Sequence, residues 1–134
     1  MKLSNDEDGD MNPVDLDLEE ILKHSTFLSS LSRDQIRWLI QNSECISLET
    51  RQVLITENVI QDGFYIVIHG EFEIVRQAGE AEAVISVQSS GQILGEMSLI
   101  ANAPPTATVR ALCSSRVLKI SRDIFNQLVL GNPA

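Results

Sequence analysis

After Ser43 the apolar spacing of this chain changes from a helical period toward alternation, and it stays so to Ile120. Cys45, Ile46 and Leu48 begin a series of short β-prone runs, and Val53-Leu54-Ile55 follow. Phe64-Tyr65-Ile66-Val67-Ile68 is apolar throughout, the pattern of a strand buried on both faces. His69-Gly70 makes a tight turn into a fourth run, where Phe72, Ile74 and Val75 alternate loosely with Glu71, Glu73 and Arg76. A turn at Gln77-Ala78-Gly79-Glu80 precedes Ala83 to Val87. Ile93-Leu94, Thr106 to Ala111 and Val117 to Ile120 bring the series to eight. Short strands at regular spacing, each closed by turn residues, predict a rolled antiparallel β structure.

Helical patterns flank this region. Leu18, Ile21 and Leu22 mark a helix over Val14 to His24, whose first turns carry Asp15, Asp17, Glu19 and Glu20 where the helix dipole favours acids. His24 reads as a helix-end residue. Ser32-Arg33-Asp34-Gln35 has the form of a capping box, opening a helix to about Asn42 with Ile36, Leu39 and Ile40 on its core face. Ser121 caps a last helix from Arg122 to about Leu130, which Gly131-Asn132-Pro133 stops. The expected class is mostly β: an eight-stranded antiparallel, jelly-roll-like β-roll with N-terminal helices, one short helix inside the roll and a C-terminal helix. Residues 1–12 are expected to be a disordered acidic tail. Residues 13–134 form one domain, with helices over 13–43, the roll over 44–120 and the last helix over 121–130. A chain of 134 residues holds one core and is too short for two.

The net charge of −9 is uneven. Residues 1–20 hold eight acids and one lysine, so the remainder carries only −2. The domain therefore lacks the basic footprint that nucleic acid requires, and it has no lysine-rich amphipathic stretch for a membrane surface. No apolar run approaches the ~20 residues that span a bilayer, and Met1 to Asp8 lacks a signal-peptide apolar core. Cys45 and Cys113 read as reduced, buried small residues, and the expected compartment is cytoplasmic. Two histidines and no Cys-x-x-Cys offer no metal box. Neither Gly-x-Ser-x-Gly nor a Walker loop occurs, so no catalytic residue and no cofactor is expected.

One stretch carries chemistry. Gly91 to Ala111 runs through a short strand, a glycine, a carboxylate at the start of one apolar helical turn, a break at Pro104-Pro105 and a second strand. Amides at the start of that turn have no partner within it, so they can face an anion. Leu94-Gly95-Glu96-Met97-Ser98-Leu99, a gap, then Pro104-Pro105-Thr106-Ala107-Thr108-Val109-Arg110-Ala111 resembles the phosphate-binding cassette of the cyclic-nucleotide-binding domain family. That family includes bacterial catabolite activators, regulatory subunits of cyclic-AMP-dependent kinase and gated ion channels. Tyr65 to Glu71 is similar to the family's Tyr-x-x-x-x-Gly-Glu hairpin, and the likeness extends from about Phe27 to Leu130. It implies a non-catalytic regulatory sensor that takes cyclic AMP or cyclic GMP through Gly95, Glu96, Met97, Ser98, Thr106 and Ala107. Glu96 would accept from the ribose hydroxyl, and the amides after Gly95 and the Thr106 hydroxyl would meet the phosphate. An acid after a glycine turn also caps a helix by itself, and Thr106 also suits a strand.

The chain departs from the family at Pro105, where an arginine is expected to neutralise the phosphate. Proline offers neither charge nor backbone donor. Losing the charged partner of a buried phosphate costs about 2–5 kcal/mol, or roughly thirty-fold to a few thousand-fold in affinity. Arg110 is nearest in sequence, but five residues along a strand it faces away from residue 105. The sequence does not place Arg76 or Arg116 at the pocket. The family's lid, a further helix over the base, is expected from beyond Ala134 or from elsewhere. The chain accordingly reads as the N-terminal sensor of a larger protein, with an output domain in the same chain or on a partner. The other reading is a ligand-free interaction module, including a homodimer.

Overall fold

A computed structural model describes residues 29–129. The acidic tail, the expected helix over Val14 to His24 and the Gly131-Asn132-Pro133 stop lie outside the described residues. Helix α1 spans Arg33–Gln41, and both halves of its capping box are formed. The Gln35 amide donates to Ser32 Oγ at 3.1 Å and the Ser32 amide donates to Gln35 Oε1 at 2.8 Å. Eight strands follow: β1 (Glu44–Leu48), β2 (Val53–Ile55), β3 (Gly63–His69), β4 (Glu71–Ala78), β5 (Ala81–Ser89), β6 (Ile93–Leu94), β7 (Thr108–Ala111) and β8 (Ser115–Ser121). A short helix α2 (Glu96–Ala101) separates β6 from β7, and α3 (Arg122–Val129) follows β8. Ser121 caps α3, its Oγ accepting from the Ile124 amide at 3.2 Å.

The strands form two four-stranded antiparallel sheets, ordered β1-β8-β3-β6 and β2-β7-β4-β5. Strand β3 is buried from Gly63 to Val67, as its unbroken apolar run requires, and its alternation serves two cores. Phe64 and Ile66 pack with Ile36, Leu39, Leu118, Ile120 and Leu128 under the helices. Tyr65 and Val67 point the other way, into the roll, with Leu48, Ile55, Phe72, Leu94, Val109 and Val117. Phe64 also meets Phe125 edge to face, ring centroids 5.6 Å apart. Burying each such side chain contributes about 1.5–3 kcal/mol, so β3, like β8 with Leu118 and Ile120 in one core and Val117 in the other, fastens helices and roll together.

The hairpin after β3 depends on Gly70, whose φ is +108° and whose absent Cβ leaves room for Ser115. Ser115 uses that room: its Oγ donates to the Cys113 carbonyl at 2.8 Å and accepts from the Glu71 amide at 3.3 Å.

Several expectations need correction. Both cysteines are exposed rather than buried. Cys45 sits on edge strand β1 and alternates against the inward residues Ile46 and Leu48, while Cys113 lies in the β7–β8 connection. Strand β7 begins at Thr108, so Thr106 is not part of it. The prolines offer no ladder donor, and the chain there bonds to the β2–β3 loop instead: the Asn58 amide donates to the Pro105 carbonyl at 2.9 Å. The four-residue turn at Gln77 to Glu80 narrows to Gly79-Glu80, because β4 and β5 pair out to Ala78 and Ala81. In β4, finally, Glu73, a polar residue alternating with apolar ones, is itself only 9% exposed. Its cross-strand partner in the register is Arg110.

Candidate functional site

The site is built where β6 gives way to α2. Gly95 turns the chain with φ +88°, and a Cβ there would come within 3.1 Å of Ile55 Cδ1. An L side chain in that conformation is strained, and Ile55 leaves little room for one. Helix α2 starts at once. Its buried Leu99 anchors it, and Asn102 ends it in a left-handed conformation, φ +54°. Arg122, the first residue of α3, holds that end. Its Nη1 donates to the Leu99 carbonyl at 3.5 Å and its Nη2 to Asn102 Oδ1 at 3.4 Å. A cation is favourable there, at the negative end of a helix.

Gly95, Glu96, Met97, Ser98, Thr106 and Ala107 all line one cleft of about 250 Å³. Pro105 lines it too, and Ile55, Ile74, Leu94 and Val109 give it an apolar floor. The first amides of α2 have no acceptor within the helix. Glu96 is half-buried, whereas Met97 is 70% exposed at the rim. The arrangement is one carboxylate, a set of amides and a hydroxyl above an apolar floor, which suits a small amphipathic ligand with one anionic group.

The three arginines considered from the sequence have separate fates. Arg110 does not face the cleft. Its Nη2 lies 2.7 Å from Glu73 Oε2 and 2.8 Å from Glu82 Oε1. Hydrogen bonds to Glu82 and then Glu73 raise its affinity for the proton above the ordinary arginine value. Arg116 belongs to β8, in the other sheet. Arg76 does reach the cassette. Its Nε donates to the Thr106 carbonyl at 3.1 Å and its Nη2 to Thr106 Oγ1 at 3.4 Å.

The face that Arg76 takes follows from the strand register. Pairing of β4 with β7 is regular from Phe72 to Val75, and the shift at Ile74/Val75 falls in the pairing with β5, where Ile85 is the extra residue. Phe72, Ile74 and Arg76 therefore share one face, with Glu73 and Val75 on the other.

The β2–β3 loop braces the same corner. The Glu57 amide donates to Thr108 Oγ1 at 2.9 Å, and Glu57 Oε1 accepts from the Gln77 amide at 3.2 Å. Among the described residues no group of three His, Cys, Asp or Glu side chains could hold a metal ion, and no helix is long and apolar enough to cross a membrane.

Known proteins resemble the chain over most of this region. The model of a family described as "Cyclic nucleotide-binding domain" matches residues 45–132. Potassium channel AKT1 of Oryza sativa subsp. indica is 28% identical over 112 residues, 84% of this chain and 12% of the channel. The regulatory domain of Toxoplasma gondii PKA, solved with cAMP, has a TM-score of 0.84 at 28% identity, covering 89% of this chain and 46% of that one. A cyclic nucleotide-binding-like protein of Brucella abortus has a TM-score of 0.78 at 29% identity, covering 85% of this chain and 98% of that one. The chain thus spans about an eighth of the length of a curated relative such as the channel.

Proposed function

Because this chain belongs to the cyclic nucleotide-binding domain family, we propose that it is a non-catalytic regulatory sensor module whose cleft takes cyclic AMP or cyclic GMP. One observation carries the reading: Gly95, Glu96, Met97, Ser98, Thr106 and Ala107 converge on a single cleft. In this reading Glu96 accepts from the ribose 2′-hydroxyl. The amides that open α2 and the Thr106 hydroxyl meet the phosphate. The floor of Ile55, Ile74 and Val109 takes apolar parts of the ligand. Pro105 supplies no countercharge, so binding is weaker than a cassette arginine would give, or differently built.

Binding would order the cassette and pull on α2. Arg122 joins the far end of α2 to α3, so a shift of the cassette reaches the C-terminal helix through bonds at Leu99 and Asn102. The channel and kinase relatives match this chain over only part of their length, which supports an output domain in the same chain or on a partner.

The second reading is a ligand-free interaction or dimerisation module. Edge strand β5 favours it, with Val84 at 61%, Ile85 at 50% and Val87 at 51% exposure.

Titration of cyclic AMP and cyclic GMP by calorimetry and thermal shift, up to millimolar ligand, separates the two. The sensor reading expects a saturable heat and a stabilisation of about 2.7 kcal/mol at a hundred times the dissociation constant. No heat and no shift at millimolar ligand, in a folded sample, overturns it and leaves the interaction module.

A further inference from the structure

We propose that Arg76, from outside the cassette, supplies the phosphate countercharge that Pro105 lacks; this rests on the sensor reading above. Three features of its placement argue for it. Arg76 is on the same face of β4 as the cleft-lining Ile74, one step nearer the β4–β5 hairpin. Its guanidinium already touches the cassette, at the carbonyl and the hydroxyl of Thr106. Thr106 lines the cleft directly after Pro105, so the charge is delivered beside the position that lost it.

The charge is also available. Among the described residues Arg76 bonds only neutral oxygens, and no carboxylate lies within ion-pair distance of it. The nearby acid, Glu57, has its Oε1 on the Gln77 amide. A guanidinium presents five N–H donors, and Thr106 occupies two of them. The others can meet a phosphate oxygen in the two-pronged geometry that arginine favours. Arg110 has no such freedom, since two carboxylates hold it.

The bond to the Thr106 carbonyl has a second effect. It fixes the segment after Pro105, so the Thr106 hydroxyl and the guanidinium reach the ligand together.

The test compares wild type, Arg76→Ala, Arg76→Lys and Arg76→Ala combined with Pro105→Arg. Each is titrated with cyclic AMP and cyclic GMP at two salt concentrations, after its melting temperature is measured without ligand. Arg76→Ala is expected to weaken binding roughly 10- to 100-fold and to flatten its salt dependence. Arg76→Lys should recover part of the loss, and Pro105→Arg should restore it in the double variant. The flattened salt dependence of Arg76→Ala marks lost charge, which loss of a residue that merely propped Thr106 would not produce. Arg76→Ala binding as tightly as wild type, with the same salt dependence, overturns the assignment and leaves the sensor reading intact. Should Pro105→Arg misfold, the salt dependence of Arg76→Ala decides alone. Wild type that binds neither nucleotide overturns the sensor reading and this assignment with it.

Discussion

Two arginines stand at opposite ends of the β4–β7 ladder, and they differ in what they face. At one end Arg110 pairs across the strands with Glu73 and reaches on to Glu82, so that its charge is spent inside the protein. At the other end Arg76 lies beyond the Val75–Thr108 pair and, among the described residues, bonds the carbonyl and hydroxyl of Thr106 and no carboxylate. The difference shows that counting basic residues near a pocket says little. What matters is whether acids compensate them, and that is decided by cross-strand register.

The closed end should be the more costly to disturb. Glu73→Ala removes one carboxylate from a partner whose side chain is only 14% exposed, and should destabilise the fold by about 2–3 kcal/mol in chemical denaturation. An unchanged midpoint would mean that Glu82 alone satisfies Arg110. Between the two ends, Gly95→Ala forces an L side chain to φ +88° against Ile55, and about 1–2 kcal/mol should be lost. Ligand affinity should fall with it, because the α2 amides move. Retention of both stability and affinity would show that the turn relaxes freely.

A smaller effect concerns Glu82. The hydrogen bond from Arg110 holds its carboxyl below the ordinary 4.5. A carboxyl lowered by folding stabilises the protein at pH above its unfolded value, and the benefit disappears as pH falls through the folded value. Melting temperature should therefore drop in acid below about pH 4.5, and drop less in Glu82→Gln; identical pH profiles would detach Glu82 from the pair. Smallest of all, Arg76→Ala should change stability by less than about 0.5 kcal/mol in a melt without ligand, as befits an exposed side chain with neutral partners. A larger loss would make the open end structural too, and the contrast between the two arginines would shrink.

Much of the fold was legible from spacing. The capping box at Ser32, the buried run of β3, the hairpin at Gly70 and the Ile93-Leu94 strand all follow from local rules, and all are present. The errors lie where a residue's fate depends on a distant one. Glu73 is buried because Arg110, 37 residues on, is placed opposite it. Cys45 is exposed because β1 ends the order of its sheet. Thr106 leaves the strand because Asn58 takes the Pro105 carbonyl.

The same division holds for the cleft. The sequence by itself determined its local parts, Gly95, Glu96 and the amides of α2, because a glycine turn followed by a helix start is a matter of adjacent residues. It also determined that Pro105 carries no charge. Only the tertiary structure decided which cation stands beside Pro105. Arg76 and Thr106 are 30 residues apart and meet because β4 and β7 pair in one register. A shift of one residue would have turned Arg76 to the other face of the sheet.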